Sequence, residues 1–141
     1  MRIERDTYDR IVHKLQRKLQ PLDVEHIMIV DIDRDGNPEH FITLSKGITD
    51  SCDIGMRKVE DHLCTYYPRG IVIAHNHPGN TPFPSESDND LTQSVAKVCR
   101  KNRVKLMDHI IILKDFDEIF SYMQNDYYAK LGGVWQSKKR I

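Results

Sequence analysis

Apolar positions along the 141-residue chain change their period several times, and each change marks an element. Tyr8, Ile11, Val12, Leu15 and Leu19 recur at three- and four-residue steps until Pro21, which predicts an amphipathic helix over residues 4–19. Ile27 to Val30 form a short β-rich run, Asp35, Gly36 and Asn37 supply turn chemistry, and Phe41, Ile42 and Leu44 resume, so a β-hairpin is expected. After Gly47 a polar connection leads to Met56, Val59, Leu63, Tyr66 and Tyr67 at helical spacing, closed by Pro68 and Gly70. Ile71 to Asn76 is apolar except at its end, the pattern of a central strand covered on both faces. Pro78, Gly79, Pro82 and Pro84 then stiffen a loop, after which Ser85 is placed to cap a helix carrying Leu91, Val95 and Val98. Leu106 to Leu113 predicts another strand, interrupted by Asp108 and His109; Glu118 to Met123 predicts a short last one, and the tail from Asn125 a frayed terminal element. The alternation predicts an α/β sandwich around one curved sheet, in a single domain over residues 1–141.

Composition narrows the class. Hydrophobic residues at 39% and charged residues at 30% fit a compact soluble protein rather than a disordered one. The 21 basic and 21 acidic residues cancel, so no overall field draws the molecule to DNA or to an anionic membrane. One local run, Lys97, Arg100, Lys101, Arg103 and Lys105, contains no acid and reads as a solvated helix face. Cys52, Cys64 and Cys99 are odd in number and form no Cys-x-x-Cys step, which predicts reduced thiols. The charged start, Arg2 to Asp6, lacks the apolar core of a secretion signal, and no run is long enough to span a membrane, so a cytoplasmic location is expected.

The chemistry gathers where the apolar run ends. His75 and His77 lie two residues apart on a strand, so their side chains project the same way from backbones about 7 Å apart and can share one ion. A catalytic zinc takes three protein ligands and keeps a fourth position for water, so a carboxylate is still needed. Asp88, eleven positions beyond His77, is the nearest good candidate. Ser85 and Asp88 also read as a helix-capping pair, and the two readings are compatible. Hydrolysis further requires a base; Glu25 and Glu39, each beside a strand of the hairpin, both qualify by spacing. A zinc nucleobase deaminase would need His-x-Glu followed by Pro-Cys-x-x-Cys, and a serine hydrolase a Gly-x-Ser-x-Gly elbow; neither motif is present.

With His75-Asn76-His77-Pro78, Pro84-Ser85, Asp88 and the run Asp108-His109-Ile110-Ile111-Ile112, residues 23–122 resemble the JAMM metalloprotease domain, also called JAB or MPN, in its RadC-like bacterial branch. The resemblance implies a cytidine-deaminase-like α/β sandwich with a mixed sheet flanked by helices. It implies a Zn2+ cofactor held by His75, His77 and Asp88, and selects Glu25 over Glu39 as base, with Ser85 stabilising an oxyanion. The activity implied is hydrolysis of a peptide or isopeptide bond, with a peptide or protein conjugate as substrate and no membrane partner. An alternative is a DNA-associated or protein-binding module in which the metal is structural.

Three departures qualify the resemblance. Pro78-Gly79-Asn80 stands where RadC-like proteins usually read Pro-Ser-Gly, so a different local turn is expected. About 20 residues precede the core, where longer members carry a helix-hairpin-helix region, which leaves DNA binding with little support. The long insertions of ubiquitin-cleaving relatives have no counterpart, so no ubiquitin specificity is implied.

Overall fold

The structure is a computed structural model that describes residues 2–48 and 55–127. Its elements run α1 (Arg5–Leu19), β1 (Glu25–Ile32), β2 (Pro38–Ile48), α2 (Met56–Tyr66), β3 (Gly70–His77), α3 (Glu86–Lys101), β4 (Lys105–Leu113) and β5 (Ile119–Ser121). The strands form one mixed sheet in the order β2-β1-β3-β4-β5. Only β3 and β4 pair in parallel, joined by α3; the other neighbours are antiparallel. Every residue of β3 is buried, as its unbroken apolar run requires of a central strand.

Strand alternation divides the core in two. Ile27 and Ile29 of β1 with Ile71 and Ile73 of β3 pack on Val59 and Leu63 of α2 and Leu91 and Val95 of α3. Met28, Val30, Val72 and Ala74 face the other way, onto Ile11, Leu15 and Leu19 of α1. Each such aliphatic side chain, fully buried, contributes about 1.5–3 kcal/mol. Carried past Ile73, the same two-residue period puts His75 and His77 on the α3 side of the sheet.

The phase of β4 is set by an irregularity. Ile71 pairs with Leu106 but Val72 pairs with Asp108, so Met107 is an extra residue in the ladder. Met107 packs in the α1 layer and Asp108 accepts from Tyr8 of α1, while His109 falls on the α3 side, where Thr92 meets it. Without that bulge Asp108 and His109 would exchange faces.

Several boundaries differ from the sequence expectation by a residue or two. Tyr67 leaves α2 in the left-handed conformation, φ 47°, donating its N–H to Leu63 O at 2.9 Å, and Pro68 prevents resumption. β5 is three residues long rather than Glu118–Met123, because Met123 N turns to the Asp108 carboxylate (2.9 Å) and Gln124 N to the Ser121 hydroxyl (3.0 Å). In the hairpin turn Gly36 has φ +85°, and a Cβ there would collide with the Arg2 carbonyl, so only glycine fits. Cys64 and Cys99 are free thiols, and burial pushes the Cys99 thiol up to about 12; Cys52 lies outside the described residues. So do most of the polar connection after Gly47 and the tail from residue 128. Among the described residues no helix is long and apolar enough to cross a membrane.

Candidate metal centre

Two elements bring the centre together. β3 delivers His75 and His77 from its last turn of pleat, and the first turn of α3 delivers Asp88. Ser85 caps that helix reciprocally: its hydroxyl accepts from Asp88 N at 3.1 Å, and its own N–H donates to Asp88 Oδ2 at 2.9 Å. The capping carboxylate is thus also the one turned to the histidines. His75 Nε2 lies 3.0 Å from Asp88 Oδ1, His77 Nε2 3.0 Å from Asp88 Oδ2, and the two ring nitrogens 3.0 Å from one another. Ligand atoms about 2.0–2.1 Å from a tetrahedral zinc sit roughly 3.3 Å apart, so these three need open by only a few tenths of an ångström to fit such an ion.

The hydrogen-bond partners on the far side of each ring decide what faces the centre. Thr92 donates its hydroxyl to Asp88 O at 2.8 Å, so it accepts from His109 Nδ1 at 2.6 Å. That assignment leaves His109 Nε2 as an acceptor for His75 Nδ1–H at 2.8 Å, and leaves His75 Nε2 with a bare lone pair. His77 donates Nδ1–H to Thr81 O at 2.7 Å, again leaving Nε2 bare. Two lone pairs and a carboxylate therefore converge on one point, an arrangement that only a cation or added protons can hold together.

The titration behaviour agrees. Burial works against a charged Asp88, yet bonds to His75 and His77, the charge of His75, and the Ser85 amide hold its carboxyl below the usual carboxylate range. Burial also opposes a charged His77, but its bond to Asp88, the Thr81 carbonyl and the nearby Asp88 and Glu25 carboxylates raise it above its ordinary value. His109, fully buried, is pushed well below its ordinary value by desolvation and then by the charge on His75, so it is neutral, as the relay needs. Tyr122 lies flat against it, ring centroids 4.5 Å apart at 3°, with its hydroxyl on Asn89 Oδ1 at 2.8 Å.

Glu25 and Glu39 are separated by the hairpin. Glu39 is exposed beside the far end of β1, across from Ile32 and Asp31, whereas Glu25 begins β1 next to the centre. Glu25, His77, Phe83 and Ser85 line one open depression of about 370 Å³, with the exposed Phe83 ring at its lip. Asn76 fixes the approach of Glu25: its side chain accepts from His26 N at 2.8 Å and donates to Val24 O at 3.1 Å, gripping the backbone on both sides. The β1–β3 ladder itself stops at Ile27 and His75, so at Glu25 this amide replaces strand pairing.

The structure also accounts for the atypical loop. Asn80 occupies the left-handed region, φ 63°, which asparagine tolerates better than other non-glycine residues. Its amide exchanges two bonds with Asp115, Nδ2 to Oδ2 at 2.7 Å and Oδ1 from N at 2.9 Å, anchoring the loop that holds Thr81. Asp108, buried completely, pins three elements by accepting from Tyr8 OH (2.7 Å), Ser121 Oγ (2.6 Å), His109 N (2.8 Å) and Met123 N (2.9 Å). Burial nonetheless pushes its carboxyl up to about 6. Of these supporting residues, the sequence pattern marked Asp108 and His109 as a break in a strand and as part of a motif, and carried no signal for Thr81, Thr92 or Tyr122.

Comparison with known proteins fits this geometry. The RadC-like JAB domain family matches over residues 5–127. The chain is similar to a UPF0758 protein of Psychrobacter arcticus, 32% identical over 72% of this chain and 44% of that protein. It is 31% identical to a UPF0758 protein of Cupriavidus taiwanensis over 76% of this chain and 47% of that one, and 27% identical to one of Fusobacterium nucleatum over 82% and 49%. The chain spans about half the length of these curated relatives. A five-stranded mixed sheet with a His-His-Asp group at the end of its central strand, matched over 5–127, places the chain in the RadC-like JAB domain family.

Proposed function

We propose that the chain is a zinc-dependent hydrolase of the JAMM type that cleaves a peptide or isopeptide bond. The observation that carries the reading is the convergence of two imidazole Nε2 atoms and a carboxylate, each group held from behind by a bond of its own. A zinc ion held by His75, His77 and Asp88 would supply a water of lowered pKa and a Lewis acid for the scissile carbonyl. Glu25, on the rim of the same depression, takes the proton of the attacking water and returns it to the leaving amine. The Ser85 hydroxyl turns its O–H to the oxyanion of the tetrahedral intermediate, its oxygen meanwhile accepting from Asp88 N. Asn76 keeps Glu25 in place, and Phe83 offers an apolar surface for the side chain next to the cleaved bond.

Among the described residues three side chains, rather than four, form the metal-ligating group, which favours a reactive site over a structural one. The test is metal content together with Glu25→Gln assayed on an isopeptide-linked substrate. Near-stoichiometric zinc in both proteins, and hydrolysis reduced about 10²-fold or more in the variant, are expected. Protein that takes up no zinc, or activity that survives Glu25→Gln, overturns the proposal.

A further inference from the structure

At the end of the sheet opposite to the histidines, three chain segments meet. Arg69 N donates to Ile32 O at 3.1 Å and Lys105 N to Arg69 O at 3.1 Å, so the end of β1 and the starts of β3 and β4 lie abreast. Arg34 from the hairpin turn, Arg69, Arg103 and Lys105 line a depression of about 330 Å³ there. Arg103 occupies a left-handed position after α3, φ 59°, closed by Val104 N on Cys99 O at 2.9 Å. Glycine is the usual residue at such a place, so an arginine is held where the backbone would favour none.

None of these four side chains forms an ion pair or hydrogen bond among the described residues. Lys101, close by in sequence, is by contrast paired with Glu60 at 3.0 Å. The Asp33 carboxylate of the hairpin turn is spent on its own backbone, accepting from Asp35 N at 2.9 Å and Asn37 N at 3.0 Å, and Asp35 does not line the depression. The chain as a whole is neutral, 21 basic against 21 acidic residues, so four uncompensated cations in one concavity do not follow from composition.

We propose that this depression binds a ligand bearing two or more adjacent phosphate groups, either a free oligophosphate or the backbone of a nucleic-acid strand. Guanidinium forks match phosphate oxygens two at a time, and the lysine adds a point charge. A single monoanion would leave most of the mutual repulsion in place; adjacent phosphates remove it. The site is distinct from the His75, His77 and Asp88 centre and does not depend on the hydrolase reading.

Two probes separate the sources: inorganic tripolyphosphate followed by calorimetry, and a short single-stranded oligonucleotide followed by fluorescence anisotropy, both at low salt. Arg69→Glu with Arg103→Glu should weaken binding about tenfold or more and lower the salt slope by about two charges, whereas Lys18→Glu with Lys97→Glu, equal in charge but away from the depression, should change it less than about threefold. Arg69→Gln with Arg103→Gln serves if the glutamate variant fails to fold by circular dichroism. Binding of tripolyphosphate assigns the site to free oligophosphates, and binding of the oligonucleotide alone to a strand. The proposal is overturned if neither probe binds the unmodified chain, or if the two double variants weaken binding equally.

Discussion

One face of the sheet carries two clusters made of the same residue types. At the β3 end stand His75, His77 and Asp88; four residues back along the strands, roughly 13 Å away, Asp31 stands between His40 and His62. In the second cluster Asp31, completely buried on β1, accepts from His62 Nε2 at 2.7 Å and from His40 Nδ1 at 3.1 Å, its direct partner across the hairpin. One ring proton goes to each carboxylate oxygen, so the set is closed as it stands. In the first cluster the ring protons are drawn outward, to His109 and Thr81, and the inward nitrogens are bare. Two histidines and an aspartate therefore clamp α2 to the sheet in one place and form a group that could hold a cation in the other. The difference lies in where the protons go, not in which residues are present.

That contrast can be broken by experiment, beginning with its largest consequence. His75→Ala or Asp88→Ala should lower zinc affinity by about 10³-fold or more, roughly 4 kcal/mol, while His62→Ala leaves zinc content unchanged by elemental analysis. Loss of zinc from His62→Ala would end the distinction. His109→Gln removes the acceptor that orients His75 and should weaken zinc by about 10- to 100-fold in competition with a chelator, with the fold retained. His62→Ala leaves a buried Asp31 oxygen without its donor, so urea unfolding of the metal-free protein should show a loss of about 1–3 kcal/mol; His75→Ala should show less.

The smallest effect is a pH trend. His77 titrates above its ordinary 6.5 when no cation is bound, so its contribution to stability is complete below that pH and fades as pH rises through the raised value. Zinc competes with that proton. The gain in Tm on adding zinc should therefore grow between about pH 6 and pH 8, read by differential scanning; a constant gain would mean that His77 does not release a proton on binding.

Much of this was legible in the chain. The apolar run into His75 and His77 gave a central strand whose pleat aims both rings one way, and Ser85-x-x-Asp88 gave both the cap and the carboxylate that meets the two rings. What local patterns do not carry is phase between distant elements. The expectation of Glu25 rather than Glu39 came from resemblance; the nearness of Glu25 to the centre, held by an Asn76 side chain gripping β1 on either side of it, exists only once β1 lies beside β3. Asp108 and His109 look like an interruption of an apolar strand; the Met107 bulge turns them to opposite layers, where each is fully satisfied. Asp31 ends an apolar run and gave no signal, because its partners lie 9 and 31 residues away.

With a cation between Asp88 Oδ1 and the bare His75 Nε2, the relay behind His75 would close on itself. From Asp88 Oδ1 it passes through His75, His109 and Thr92 and returns to the carbonyl of Asp88. A loop with one residue at both ends cannot relax piecemeal: slackening any contact lets the start of α3 lift from the sheet. Ion capture and helix docking would then be a single thermodynamic variable, and amide hydrogens in the first turns of α3 should exchange with solvent more slowly once the ion is in place.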